Sequence, residues 1–502
     1  MRLPRPFAYP TYAPYLLVVF FVTKAAITGT WVVRPWDVPD EVGHFSYIQD
    51  IATGKGIPVL HETLINHELW KDFARNTEVA TASNWIAQHP PVYHILMVPA
   101  YWIGSLFGES FWGAFYFIRL LTACIFGVGI FILLKAFREA ELSAPVSLGL
   151  GIMFACIPNH TFLAGSVNHD ALVFLCGSLA LFFLIRYTKR GVGSDLLLLG
   201  LVLGCGGLVK YTFLVIIPPA LGWVGFVLWR SKKSSPKSIA MFLGLVMGPI
   251  TLWMLRNGII FGELLPLDTS GFHSEQPLEM GVLEFGQSFP ILSIITRSYW
   301  GLLGWLGDGT LEVRWLQVYS LYQQVFTWPV IILLVLTLFY LVKEKFRDEA
   351  WMRFCVVGSV VAVLSFVSTG WWKLEHWFYL PLFFLAVAIV GWRMGEVINC
   401  VRTRKVDSVL VTDMGAVLVC LFFLIVHLYK IYSYSLPSGV LQGSFGRYYI
   451  FLVGFFLVGF LGKGVRSFPI AAPLVLGFSI LYSSVELYVW LHEVIPFFYV
   501  YD

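Results

Sequence analysis

The chain has 502 residues, of which 58% are hydrophobic and 13% charged, with a formal net charge of +4 and a mean hydropathy of +0.76. Soluble globular chains carry about 25% charged residues, so this composition excludes a soluble domain; no nucleic-acid partner is expected. Several apolar windows approach the ~20 residues that cross a bilayer, which makes the chain an all-α polytopic membrane protein.

The first apolar run, Tyr15 to Val33, is long for a signal h-region and has no small-residue cleavage site after it, so it reads as the first span. A large loop follows over residues 34–117. Its opening, "DVPDEVGHFSYIQDIATGKGIP", suits an amphipathic helix. Asp37 reads as the N-cap, and Pro39 sits in the first turn, where a missing N–H does no harm. Val42, Phe45, Ile48 and Ala52 recur at helical spacing and are expected to face lipid. Gly54 and Gly56 end the helix, with Pro58 beyond. Asp37 and Asp50 are expected to be solvated.

Asp40 and Glu41 diverge by about 100° around such a helix, so they cannot share a role. His44 lies one turn after Asp40 on the same face. Acids in a first turn are favoured by ~0.3–1 kcal/mol through the helix dipole, and that bland reading covers a lone acid. The sharper one turns Asp40 into a cavity as a general base. Further along the loop, "HPPVYHILMVPAYWIGSLF" is apolar enough to touch lipid. A full span there would invert every later loop, so it reads as a membrane-hugging helix or re-entrant hairpin.

Twelve more spans follow at 118–135, 145–164, 170–187, 194–209, 212–229, 238–256, 319–342, 354–370, 375–393, 408–429, 447–462 and 469–490. With the N-terminus in the cytoplasm, the short cytoplasmic loops hold most of the Lys and Arg, as the positive-inside rule requires. Residues 34–117 and 257–318 are then the two large extracytoplasmic loops of one transmembrane domain, 1–502. Two large loops on one face point to a site on that face. The seven cysteines, Cys124, Cys156, Cys176, Cys205, Cys355, Cys400 and Cys420, lie in or beside apolar segments without metal-ligand spacing, so neither a disulfide nor a zinc site is expected.

"PDEVGHFSYI" followed by "HPPVYHILMVPAYWIGSLFG" resembles the GT-C superfamily of membrane glycosyltransferases, in pattern most like the protein O-mannosyltransferases and the lipid A aminoarabinose transferases. With "YWGLLGWLGDG" and "QGSFGRYY" further on, the chain also resembles a large group of uncharacterised bacterial GT-C-like proteins. The resemblance implies a GT-C-type fold of many transmembrane helices with an extracytoplasmic cavity; with the spans read above, this is a bundle of about 13 transmembrane helices with amphipathic helices in its extracytoplasmic loops. It implies a polyprenyl-phosphate-linked sugar as donor, a glycan, lipid or protein acceptor, and inversion at the anomeric carbon. The implied location is the bacterial cytoplasmic membrane with the site on its outer face. Asp40 is then the base, Glu41 contacts the acceptor or braces the loop, and Asp170 in "SVNHDALVF" is the second acid. Where the aminoarabinose transferases carry Lys before their "PPL", this chain has His89, so donor recognition is expected to differ. No soluble C-terminal domain is expected.

Inverting transfer needs one carboxylate to take the acceptor's proton. A lipid phosphate leaving group needs positive charge where its negative charge develops. Lys210 with Tyr211 in "GLVKYTF", Arg256 at a span end, and Arg447 with Tyr448 in "GSFGRYY" are placed for this; the bland alternative for each is snorkelling to the interface. Gly443 and Gly446 are expected to let a ligand approach the backbone near Arg447. His44, His89 and Asp170 complete the expected substrate contacts, although Asp170 also reads as a helix cap. Asp40, Glu41 and Asp170 are the oxygen donors a hard divalent cation takes, but relatives of this type mostly do without one, so no cofactor is fixed. Lys24, inside the first span, must find a carboxylate or a cavity. Lys373 and His376 read as interfacial anchors. Two other classes remain open: a transporter or flippase for a lipid-linked glycan or solute, which needs access from both sides, and a non-catalytic scaffold in which the acids are only caps.

Overall fold

The computed structural model describes residues 11–74, 80–108, 110–231, 235–266, 277–304, 315–345, 407–467 and 470–499. The expected spans 354–370 and 375–393, Cys355, Cys400, Lys373 and His376 lie outside them. Among the described residues the architecture is helical, apart from a two-stranded antiparallel ribbon that pairs Leu302–Gly304 with Trp315–Gln317.

Among the described residues, eight helices are long and apolar enough to cross a membrane: Ala13–Val32, Trp112–Glu139, Asp170–Arg190, Tyr211–Arg230, Pro236–Phe261, Ser408–Ser438, Gly446–Arg466 and Ala471–Phe498. The expected span 145–164 is two helices, Ala144–Ala155 and Pro158–Ala164, bent by 72°. Pro158 explains the break. It disfavours helical backbone at the residue before it, and Ile157 is extended with ψ of 120°. The expected span 194–209 carries a shorter apolar helix, Gly193–Gly207, while the expected span 319–342 falls almost wholly within a 26-residue helix, Ser320–Lys345. In the first large loop, Val92–Phe107 is also a short apolar helix.

Trp112–Glu139 and Asp170–Arg190 pack side by side at the centre, with Ala13–Ile27 and Val92–Gly104 against the former. Outward faces of the long helices keep Leu252, Ile259, Ile425 and Ile480 exposed, the pattern of lipid-facing surface. Lys24 finds its carboxylate in Glu486, 2.5 Å away on the last long helix, and also donates to the Ala155 carbonyl.

The Glu41–Ala52 helix corrects the expectation of a lipid-facing stripe. Val42, Phe45 and Ile48 are wholly buried in protein. Phe45 packs among the rings of Trp36, Tyr101, Phe111 and Phe115. The polar residues Glu41, His44, Ser46 and Asp50 of the helix are buried as well. Asp37 and Asp50 are therefore not solvated: both are buried, and Asp50 takes the ammonium of Lys55 at 3.3 Å. Gly54 and Gly56, with φ of +82° and +92°, end the segment as expected.

Candidate functional site

Asp40, not Asp37, is the N-cap residue of this helix, and it is left-handed, with φ of 68° and ψ of 1°. A non-glycine residue held there is strained and marks a position the surroundings dictate. The Asp40 side chain makes no capping hydrogen bond and turns outward instead. One oxygen accepts from Trp85 Nε1 at 3.0 Å and the other from Arg447 Nη2 at 2.8 Å. Both side chains keep some surface open, 24% for Asp40 and 16% for Arg447. Burial pushes the Asp40 carboxyl upward, but the Arg447 charge, the bonds from Trp85 and Arg447, and the Lys210 charge outweigh it, so the group lies below its usual value.

Glu41 has a different setting. It is fully buried, and its two oxygens accept from Arg119 Nε at 2.8 Å and Arg119 Nη2 at 2.6 Å, from the Trp36 amide at 3.0 Å and from the Val167 amide at 2.8 Å. Arg119 also donates to the carbonyls of Gly29, Val33 and Arg34. The pair thus ties the end of the first span, the start of the loop and the segment before Asp170 to one point.

A second ion pair stands beside the first. Asp170 opens the Asp170–Arg190 helix and receives the Lys210 ammonium at 2.6 Å, both side chains being buried. The Tyr448 ring lies under both cations, 4.9 Å from Lys210 and 5.8 Å from Arg447. Four imidazoles close the floor. His44 Nδ1 meets His94 Nε2 at 3.0 Å, and the His169 ring stands edge-on to His44 at 4.5 Å and to His89 at 4.8 Å. Burial, then neighbouring imidazoles and the Lys210 and Arg447 charges, hold His44 well below its usual value. For His89, burial and the charges of Lys210, Lys430 and Arg447 outweigh the pull of Asp40 and lower it to about 3. Both rings are neutral at physiological pH. Among the described residues no hydrogen bond joins the Asp40 carboxylate to His44.

Tyr211, its ring 6.1 Å from that of His89, accepts from Trp253 Nε1 and Asn257 Nδ2, each at 3.1 Å. Arg256 donates to Asn257 at 3.1 Å and stacks over Trp253. The expected substrate contacts His44, His89, Asp170, Lys210, Arg447 and Tyr448 thus lie in one contiguous cluster with Asp40, whose carboxylate and the Arg447 guanidinium keep its open edge; Tyr211 and Arg256 adjoin it, and Glu41 is buried beside it. Five buried polar atoms of this cluster have no hydrogen-bond partner among the described residues: Arg447 Nε, Asp170 Oδ2, His89 Nδ1, His94 Nδ1 and His169 Nδ1. Each of the three acids is matched to a cation, and no group of three or more His, Cys, Asp or Glu among the described residues is placed to hold a metal ion.

Gly446 serves packing and not ligand approach. A Cβ there would lie 2.2 Å from the Tyr299 amide nitrogen and 2.3 Å from the Ile295 carbonyl oxygen, and the Gly446 amide donates to Ser298 Oγ at 2.7 Å. The glycine lets the Gly446–Leu452 turn lie against the Ile291–Gly301 helix and so sets the position of Arg447. Beyond this turn an apolar cavity of about 390 Å³ is lined by residues including Phe154, Leu424, Leu452 and Phe460, with Tyr449 on its wall. Tyr449 hydrogen-bonds His427 at 2.7 Å.

Sequence reasoning passed over Trp85, His94, His169, Arg119 and Lys430. For the last two a signal existed: each is a lone cation in an apolar run, and such a residue demands a partner or a cavity. Trp85 carries no such signal.

A family model described as "Predicted membrane protein (DUF2142)" matches residues 66–378, a stretch that begins after Asp40 and ends before Arg447. No curated protein matches the sequence. Among solved structures, the S. cerevisiae protein O-mannosyltransferase Pmt1–Pmt2 complex bound to its sugar donor is similar at 18% identity and a TM-score of 0.35, over 53% of this chain and 36% of that one. ArnT from Cupriavidus metallidurans bound to undecaprenyl phosphate is similar at 14% identity and a TM-score of 0.39, over 91% and 78%. The Archaeoglobus fulgidus oligosaccharyltransferase is similar at 11% identity and a TM-score of 0.42, over 96% and 52%. The chain thus spans about a third of the first and half of the last.

Proposed function

The chain belongs to the DUF2142 family of predicted membrane proteins, and we propose that this member is a membrane glycosyltransferase. In this reading it moves a sugar from a polyprenyl-phosphate-linked donor to a hydroxyl of a glycan, lipid or protein acceptor, with inversion, on the outer face of a bacterial cytoplasmic membrane. The observation that supports it most is Asp40: a strained, half-open carboxylate turned away from its own helix and held ionised by Arg447. The sequence resemblance supports the same role for this residue.

Asp40 carries two hydrogen bonds, and a carboxylate accepts about four, so it retains capacity for an incoming hydroxyl. It takes that proton as the acceptor oxygen bonds to the anomeric carbon. The bond from that carbon to the phosphate oxygen breaks, and polyprenyl phosphate leaves with the electron pair. Arg447 and Lys210, already fixed by Asp40 and Asp170, offset the charge as it develops on the phosphate. Arg256 stands at the rim. The neutral rings of His44 and His89 and the unpartnered oxygen of Asp170 hold substrate hydroxyls. Glu41 braces the loop through Arg119, because its oxygens are filled and inaccessible. The apolar cavity beyond Tyr449 suits the lipid part of the donor.

The test is product analysis. The purified protein, given a polyprenyl-phosphate-linked sugar and an envelope extract as acceptor, should release polyprenyl phosphate and form a glycoside of inverted configuration. Release without transfer, or retained configuration, contradicts the reading.

A further inference from the structure

The Ser408–Ser438 helix carries Lys430 among apolar residues inside a span. Such a cation is costly there and faces a partner or a cavity. Lys430 is partly buried, and among the described residues no carboxylate pairs with it. Among the described residues its ring contact is with Tyr434 on its own helix, 5.2 Å away.

Its neighbours place it at the cleft. His427, one turn earlier, bonds Tyr449 Oη at 2.7 Å and the Gly443 carbonyl at 3.2 Å and stands edge-on to Tyr448 at 5.3 Å. Tyr448 is the ring under Lys210 and Arg447. After burial and the Lys210 charge, the Lys430 charge is among those that lower His89.

The cleft's charges do not cancel. Arg447 is matched to Asp40 and Lys210 to Asp170. Arg256 is hydrogen-bonded at the rim and stacked on Trp253. Among the described residues, Lys430 alone of the cluster's three lysine and arginine charges has no acid against it. An entering anion meets this charge without having to break an existing pair. A phosphodiester carries one negative charge, which Lys430 offsets.

We propose that Lys430 anchors the phosphate of the lipid-linked donor when it binds, and that Arg447 and Lys210 act later, as charge builds on the leaving phosphate. This rests on the transfer reaction proposed above. Undecaprenyl phosphate and undecaprenol share a tail and differ in the anion, so their binding to the full-length protein in nanodiscs separates the two claims. Wild type should prefer the phosphate. Lys430→Met, which keeps the stem and removes the charge, should lose about tenfold or more in phosphate affinity, the worth of one charge-assisted contact, and none in alcohol affinity. Lys430→Arg should stay within about threefold of wild type, because the charge remains. If Lys430→Met keeps the phosphate preference while wild type shows one, the anchor is overturned and the lipid-phosphate donor stands. If wild type itself does not distinguish the two lipids, the donor reading falls and the anchor with it.

Discussion

Asp40 and Glu41 are adjacent in sequence and opposite in setting. Asp40 opens to the cleft against Arg447, whereas Glu41 is sealed against Arg119. Breaking a buried pair leaves an uncompensated charge and costs about 3–5 kcal/mol, so Glu41→Gln should lower thermal stability in detergent markedly; an unchanged unfolding temperature would contradict the bracing role. The Asp40 carboxyl lies below 3.8, its ordinary value. A depressed carboxylate contributes stability above its unfolded pKa and loses it as pH falls through the folded one, so the Asp40–Arg447 pair holds throughout neutral and mildly acidic pH. The acid limb of kcat/KM should therefore lie below the ordinary carboxylate range. In Arg447→Gln the opposing effect of burial is unmasked, and the limb should move up; a limb that stays put would detach Asp40 from catalysis. The two roles were not legible from spacing. A helical wheel separates the acids by angle but does not say which neighbour each one meets.

At the scale of elements, the Glu41–Ala52 helix shows what periodicity reveals and what it leaves out. Val42, Phe45 and Ile48 located the helix correctly. An apolar stripe looks the same whether it faces lipid or protein, and here it faces protein. Phe45→Ala should cost about 3–5 kcal/mol, the usual loss for a buried aromatic ring, measured by denaturation in detergent; a neutral effect would restore the lipid-facing reading. The Gly446–Leu452 turn gives a second case. Gly446→Ala would drive a methyl group into the Ile295 and Tyr299 backbone and displace Arg447. Donor turnover should fall sharply while Lys430-dependent lipid binding persists. Equal activity would show that the turn tolerates the shift. The glycines were visible in the sequence, but their purpose was not, because a close helix contact and a ligand approach call for the same missing side chain.

Across the whole molecule, ion pairs join distant parts of the chain. Lys24 meets Glu486 across 462 positions, and Asp40 meets Arg447 across 407. Hydropathy identified the apolar segments and singled out Lys24, Lys210 and Arg447 as cations in need of a reason. It could not pair them, since helix packing is not written in any local period. The central claim is that this long-range assembly turns Asp40 into a general base. Asn tolerates the left-handed backbone that position 40 requires, so Asp40→Asn removes the charge with little strain. The most direct measurement is transfer of a radiolabelled sugar from polyprenyl phosphate by purified wild type and Asp40→Asn, with lipid binding followed in parallel. A loss of about 10²–10⁴-fold in transfer, the contribution of general-base help, with undecaprenyl phosphate still bound, is the predicted result. Full transfer by Asp40→Asn would contradict the account.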